Sequence, residues 1–204
     1  MTVPPELVAH DGRPVMAWRF DAPRLVIASA SVGGGIGERQ WVLNAQVPED
    51  YARHDLEDHV ASIAATHGLV GPGVGMLTAA SLDAPGCGED GGVMGWATVG
   101  ITKPTWAADT DDAISAWAAG TINVVVQLPV RLSDDALVNA VVTATEAKTQ
   151  ALLERGVPGT GTASDAVCIV CPLDGPTERF AGPRSVWGAR LARATHAAIV
   201  KRLP

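Results

Sequence analysis

"TINVVVQLPVRLSDDALVNAVVTATEAKTQALLERGVPGTGTASDAVCIVCP" (residues 121–172) holds a strand, a helix, a loop and a second strand in unbroken order. Residues 121–130 form a β-branched run that Pro129 ends. Ser133 is a good N-cap, Asp134 and Asp135 suit the positive end of a helix, and Gly156 follows its last turn. The signals predict a helix over about 134–155. "DAVCIVCP" (165–172) is the second strand. On a wheel of about 100° per residue, Leu137, Val138, Val141, Val142, Leu152 and Leu153 fall in one apolar stripe about 160° wide, with Thr145 near its centre. That stripe is the expected core face. Asn139 and Glu146 share a ridge just past its edge, so Glu146 is expected to look into a cleft between helix and sheet. Desolvation there would push a carboxyl up toward general-base range.

Outward from this stretch, "RLVIASAS" (24–31) reads as a buried strand, followed by the turn "VGGGIGE" and a neighbouring strand, "WVLNAQV" (41–47). Residues 50–69 read as a helix that Gly68 stops. "VGMLTAASL" and "VMGWATVGIT" flank "DAPGCGEDGG" as a wide hairpin, and residues 185–203 read as a final helix ending in Lys and Arg. About six strands, several in hairpins, and three clustered helices predict a layered α+β fold. The expected sheet is mixed and largely antiparallel, packed against about three helices, in one domain over 1–204.

The chain has 204 residues, a formal net charge of -7, two Phe and one Tyr. This composition argues against nucleic acid and anionic membrane as partners. The opening residues do not read as a basic, apolar leader and no run of 18 residues is apolar, so neither export nor a membrane span is expected. Three Cys suit a reducing cytoplasm, the expected location. Nothing here fixes the oligomeric state, and a homo-oligomer stays open.

Several motifs attract attention. Cys168 and Cys171 have C-x-x-C spacing, but on a strand they point to opposite faces, so both read as core thiols. His54, His59 and His67 lie on the first helix, where His54–Asp58 and Asp55–His59 are spaced four apart. The spacing suits acid–base chemistry or a solvated face, and H-E-x-x-H is absent. "GGGIGER" (33–39) lacks a following helix, and "GTGTASD" (159–165) lacks the phosphate-loop Lys and precedes a strand, so neither cradles a nucleotide phosphate. The hydroxyls of Thr160, Thr162 and Ser164 exceed what a turn needs. In "GTIN" (120–123), Thr121 and Asn123 share a strand face and can cap the strand end or bind an oxyanion or amide.

"GTIN", "TATEAKT" and "GTGTASDA", in that order, together with "FAGPRSVWGARLARATHAAI" and "LVIASASVGGGIGERQWVLNAQV", resemble the adenosylcobinamide amidohydrolases. The resemblance spans about residues 20–200. Lys103 departs from an expected Asn before Pro, and Ser164 from an expected Thr. The resemblance implies hydrolysis of the amide joining aminopropanol to the corrin ring's propionate, giving adenosylcobyric acid in cobalamin salvage. The cobalt belongs to this small-molecule corrinoid substrate, so no metal or cofactor held by the protein is implied. On that reading Ser164, or else Thr162, is the nucleophile or positions the attacking water, and Glu146 is the base that later protonates the amine. Backbone N–H groups of the 159–163 loop, with Gly159, Thr160 and Gly161 also contacting substrate, hold the oxyanion together with Asn123, and Asp165 orients the loop. Gly33, Gly34, Gly35, Asn44 and Thr121 line a broad corrin cleft, with Trp41 beside them and Trp96 and Trp106 as ring covers or core. A shorter second echo, of the self-processing aminopeptidases related to ornithine acetyltransferase, keeps a self-cleaving aminopeptidase or acyltransferase as an alternative. A non-catalytic corrinoid-binding module is another.

Overall fold

The computed structural model describes residues 2–110 and 120–203. The strands are β1 (Glu6–His10), β2 (Arg13–Ala28), β3 (Gly35–Gln46), β4 (Gly73–Thr78), β5 (Gly86–Asp90), β6 (Val93–Gly100), β7 (Thr121–Gln127), β8 (Arg131–Leu132), β9 (Ala166–Pro172) and β10 (Thr177–Glu178). The helices are α1 (Leu56–Thr66), α2 (Asp134–Glu154) and α3 (Val186–Val200). Among the described residues, one eight-stranded sheet runs β4-β3-β2-β9-β7-β6-β5, with β1 also paired to β2. Pairs within it are antiparallel except β3–β4 and β7–β9, and β8 and β10 form a separate parallel pair. A parallel pair needs a crossover; α1 supplies the first and α2 the second. This is a mixed, largely antiparallel α+β fold, with three helices among the described residues, as expected.

The sheet folds back on itself. Met16, Trp18, Val42 and Val74 of one half share a cluster with Trp96, Val125 and Cys168 of the other. Among the described residues no helix covers those faces, and the opposite half-sheet buries them. Trp18 and Trp96 meet edge to face, with centroids 5.8 Å apart. The outer face of the first half packs on α1 through Val60 and Ile63. The outer face of the second packs on α2 and α3 through Leu137, Leu152, Leu191 and Ile199. Burying each such side chain is worth about 2 kcal/mol.

Strand alternation decides which residues reach which layer. Ile122, Val124 and Val126 face the helices, whereas Val125 joins the inner cluster. Asn123 and Thr121, in phase with Val125, face inward. Cys168 is inner and Cys171 is outer, so the thiols do lie on opposite faces.

The wheel for α2 is corrected. Val138, Val142 and Leu153 are exposed, while Ala136, Leu137, Ala140, Thr143, Ala144, Ala147, Lys148, Ala151 and Leu152 are buried. The buried face carries mostly small side chains because α2 lies close against α3 and the sheet. Close approach recurs under α3, where a Cβ on Gly88 would sit 2.1 Å from the Ala194 carbonyl oxygen. The first helix is also shorter than expected, and the wide hairpin dissolves. β4 and β5 lie at opposite sheet edges, and the real hairpin turns at Gly91–Gly92 between β5 and β6. The expected six strands omitted β1 and the first half of β2, which form a hairpin around Asp11–Gly12.

Candidate functional site

The two half-sheets part at one end and leave a cleft of about 440 Å³. β3 and β4 finish there, β7 and β9 begin there, and residues 29–32 cross over from β2. The floor is polar. Asn123 Nδ2 donates to Asn44 Oδ1 at 2.9 Å and to the Leu77 carbonyl at 3.1 Å. Asn44 Nδ2 donates to Thr98 Oγ1 at 3.1 Å. All three side chains are buried, and their mutual bonds offset the desolvation of each.

One rim is built on Asp165. Its Oδ1 accepts the Ile122 N–H at 2.9 Å and faces the Thr162 hydroxyl at 2.5 Å. Its Oδ2 accepts the Thr162 N–H at 3.1 Å and pairs with Lys148 Nζ. Both ionic side chains are nearly buried, 8% exposed for Lys148 and 11% for Asp165. Gly161 leaves room for the pair, since a Cβ there would lie 2.2 Å from Asp165 Oδ2 and 2.6 Å from Lys148 Nζ. With its acceptor sites engaged, Asp165 is a fastener that joins the loop to β7 and α2.

Beside it, Ser164 Oγ lies 2.8 Å from Thr121 Oγ1 and 3.0 Å from the Gly120 carbonyl oxygen. Ser164 and Thr121 both line the cleft. Thr162 does not: its hydroxyl reaches the Gly120 carbonyl at 2.7 Å or Asp165. Of the two candidate hydroxyls, Ser164 is the one presented to the cleft.

Other expected residues are placed elsewhere. Glu146 is exposed and lines a shallow surface groove with Thr145, Thr149 and Gln150, outside the cleft. The turn of the helix that was expected to aim it inward aims Lys148 inward instead. Gly159, Thr160 and Gly161 lie against residues 104–107: Thr160 N–H donates to the Thr105 carbonyl, and Thr105 N–H to the Gly161 carbonyl, both at 2.9 Å. They scaffold the loop and are not among the cleft-lining residues. Both hydrogen-bonding partners of the Asn123 amide nitrogen belong to the floor, so Asn123 presents no spare N–H to an oxyanion. Gly33 and Gly34 serve close backbone packing, with a Cβ on Gly33 lying 1.9 Å from the Gly73 carbonyl oxygen. Arg39 seals that turn through the Gly33 and Gly34 carbonyls. Gly35, at the start of β3, has a positive φ of 80°. Residues 29–32, just before these glycines, line the cleft in their place. Trp41 and Trp96 are core side chains, while Trp106 is exposed.

The three helix-region histidines do not converge. His59 Nδ1 pairs with the Tyr51 hydroxyl at 2.7 Å, and His67 packs edge-on against His10. No group of three or more His, Cys, Asp or Glu among the described residues is arranged to hold a metal. Burial pushes the Cys168 thiol up to about 12 and raises Cys171 as well. Sequence reasoning missed Lys148 and the wall residues Tyr51 and Arg53. The signal for Lys148 was a lone cation on an alanine face.

The sequence model of the family described as adenosylcobinamide amidohydrolase matches residues 4–203. The chain belongs to the adenosylcobinamide amidohydrolase family. It is 30% identical over 175 residues to a Methanosarcina mazei protein named adenosylcobinamide amidohydrolase, covering 81% of this chain and 84% of that one. It is 31% identical over 193 residues to a Halobacterium salinarum protein of the same name, covering 90% and 80% respectively. In fold it is similar to the PH0078 protein from Pyrococcus horikoshii OT3, with a TM-score of 0.50 and 11% identity over 98% of this chain and 79% of that one. The three sequence blocks that carry the amidohydrolase resemblance meet at Asp165. "GTIN" offers the Ile122 N–H, "TATEAKT" offers Lys148, and "GTGTASD" offers Thr162 and Asp165 itself.

Proposed function

We propose that this chain is an adenosylcobinamide amidohydrolase, releasing aminopropanol from adenosylcobinamide to leave adenosylcobyric acid. One observation carries the reading within the family: a hydroxyl pair, Ser164 and Thr121, stands in an open cleft at the point where the three family blocks are fastened together. Gly120 offers its carbonyl to the Ser164 hydroxyl, which fixes the oxygen's direction. Ser164 then attacks the amide carbon, giving its proton to a cleft group, and the acyl ester left on Ser164 when the amine departs is hydrolysed by water to the free acid; or Ser164 holds the water that attacks directly. The C–N bond breaks as the amine nitrogen takes a proton. With Asp165 engaged as a fastener, the cleft wall carries Glu49 and Tyr51 as proton-exchanging groups. Cobalt enters as part of the substrate, and the chemistry uses no cofactor held by the protein. No helix among the described residues is long and apolar enough to cross a membrane. We place the reaction in the cytoplasm, with a small-molecule corrinoid as the partner and no nucleic acid.

The test is incubation with adenosylcobinamide and mass spectrometry of the corrinoid. Ser164→Ala is expected to lower kcat by about 10²-fold or more, the range for a group acting at the reacting bond. Glu146→Gln is expected to keep near-normal turnover. Retained activity in Ser164→Ala with loss in Glu146→Gln would reverse the assignment.

A further inference from the structure

Beyond the segment that follows β3 lies a second cavity of about 330 Å³. Val47, Pro48, Tyr51 and Arg53 line both this cavity and the cleft, so one short wall divides them. Its floor is apolar, formed by Val15, Ala45 and Ile63, each almost fully buried. Its rim is polar and of both signs, with Arg13, Gln46 and Asp50. One side is aromatic: the Tyr51 and His59 rings stack with centroids 5.5 Å apart at 26°. The Tyr51–His59 hydrogen bond ties the wall to α1. The tip of the β1–β2 hairpin, Asp11, borders the cavity at φ 48°, followed by Gly12 at φ 73°. That geometry suits an Asp-Gly turn.

The lining suits a flat heteroaromatic group with hydrogen-bonding edges. An apolar floor and an aromatic side accept the ring faces. Gln46 offers a donor and an acceptor, and Asp50 a further acceptor. Rim charges of both signs give no reason for a phosphate to be preferred. Burial lowers the His59 pKa, with Arg53 and His10 acting in the same direction and Asp55 and Asp11 opposing. The ring therefore offers a neutral stacking surface.

We propose that this second cavity is a nucleoside subsite, taking the adenosyl group of the substrate while the cleft takes the corrin rim with its scissile amide. The proposal rests on the amidohydrolase reading: a macrocycle with a nucleoside standing off it calls for two adjoining cavities. The wall of residues 47–53 would pass between the two parts of the substrate.

The test has an arm that does not depend on catalysis. Binding of 5′-deoxyadenosine is followed by NMR in the full chain, in Ala52→Trp, which fills the cavity from an exposed rim position, and in Gln46→Ala. In parallel, KM and kcat are measured for adenosylcobinamide and for cobinamide carrying cyanide in place of the adenosyl group. Expected are nucleoside binding in the wild type, a loss of about tenfold in each variant, and a KM for adenosylcobinamide raised about tenfold with kcat held. The KM for the cyano form is expected to be unchanged. The proposal is overturned if 5′-deoxyadenosine does not bind, if the variants bind it normally, or if both corrinoids lose equally. Nucleoside binding that the variants weaken without any change in KM for adenosylcobinamide would mark a site for a free nucleoside, and would overturn it too. If neither corrinoid releases aminopropanol, the amidohydrolase reading fails, and the binding arm still decides the subsite.

Discussion

Replacing Lys148 by Met tests whether the ion pair to Asp165 holds the site together. The methionine keeps the stem that packs on the alanine face of α2, so little packing is lost. What it removes is the cation beside a carboxylate only 11% exposed. Breaking one side of a buried pair costs about 3–5 kcal/mol. Asp165 would retain the Ile122 N–H, the Thr162 N–H and the Thr162 hydroxyl. These three partners place the expected cost at the lower end, about 3 kcal/mol. With an m-value near 2 kcal/mol/M, the urea midpoint should fall by about 1.5 M at unchanged m. The double variant Lys148→Met, Asp165→Asn supplies the control. Asparagine keeps an oxygen for the Ile122 N–H but carries no charge, so the pair of changes should cost about 1 kcal/mol, less than Lys148→Met alone. Urea unfolding followed by circular dichroism measures both. A midpoint shift below about 0.5 M in the single variant, or a double variant less stable than the single one, would refute the argument.

Gly161→Ala should be destabilising by about 1–3 kcal/mol, because its Cβ would intrude on both partners of the same ion pair; an unchanged thermal midpoint would contradict this. The thiols should separate cleanly. Cys87 is partly exposed, while Cys168 and Cys171 are buried with raised pKa values, so a disulfide reagent at pH 8 should titrate one thiol quickly and all three only in denaturant. Two fast thiols in the native protein would be inconsistent with this burial. The depressed His59 pKa has a definite sign in stability. As pH falls below about 6.5, the unfolded chain binds the proton first, so stability falls with pH until the folded pKa is passed. Subtracting the pH–stability curve of His59→Gln from that of the wild type should isolate this slope, and a flat difference would count against the partial burial of His59.

The elements that sequence alone made legible are those governed by local pattern. The period-two alternation of 121–127 and 166–171 assigned faces correctly, down to the two cysteines. The capping signals around α2 bounded it to within a residue. Side-chain size misleads in that helix, because its large apolar residues suggest the wrong buried face. In fact the close approach of α3 selects alanines, and Val138, Val142 and Leu153 are left outside. The same error turned Glu146 inward and hid Lys148, a residue type expected in solvent unless its partner is known. That partner, Asp165, is 17 residues away in sequence. The β1–β2 hairpin carried its Asp-Gly signal openly and was overlooked beside the longer apolar runs. Folding of the sheet onto itself was out of reach. It depends on Trp18 finding Trp96 and on Asn44 finding Thr98, contacts between strands that are neither sequential nor paired.

The position of the cleft follows from the same topology. In open parallel sheets, ligands gather at the carboxyl ends of the strands. Here the cleft lies at the carboxyl ends of the parallel pair β3–β4 but at the amino ends of the parallel pair β7–β9. α2 runs back along the sheet and returns the chain to the level at which β7 began. Residues 157–165 must therefore turn beside Gly120 and Thr121. The sheet also parts at this end, so the turn borders open space and not core. Residues 104–107 order one side of that loop through the Thr105 backbone, and Asp165 orders the other. It joins the start of one strand, the loop before the next and the helix between them. Ser164 is thereby fixed without being buried, which is what a hydroxyl meant to meet a large substrate requires. The Lys148→Met experiment consequently bears on turnover as well as on stability. If the pair positions Ser164, kcat should fall in that variant even under conditions where the protein remains fully folded.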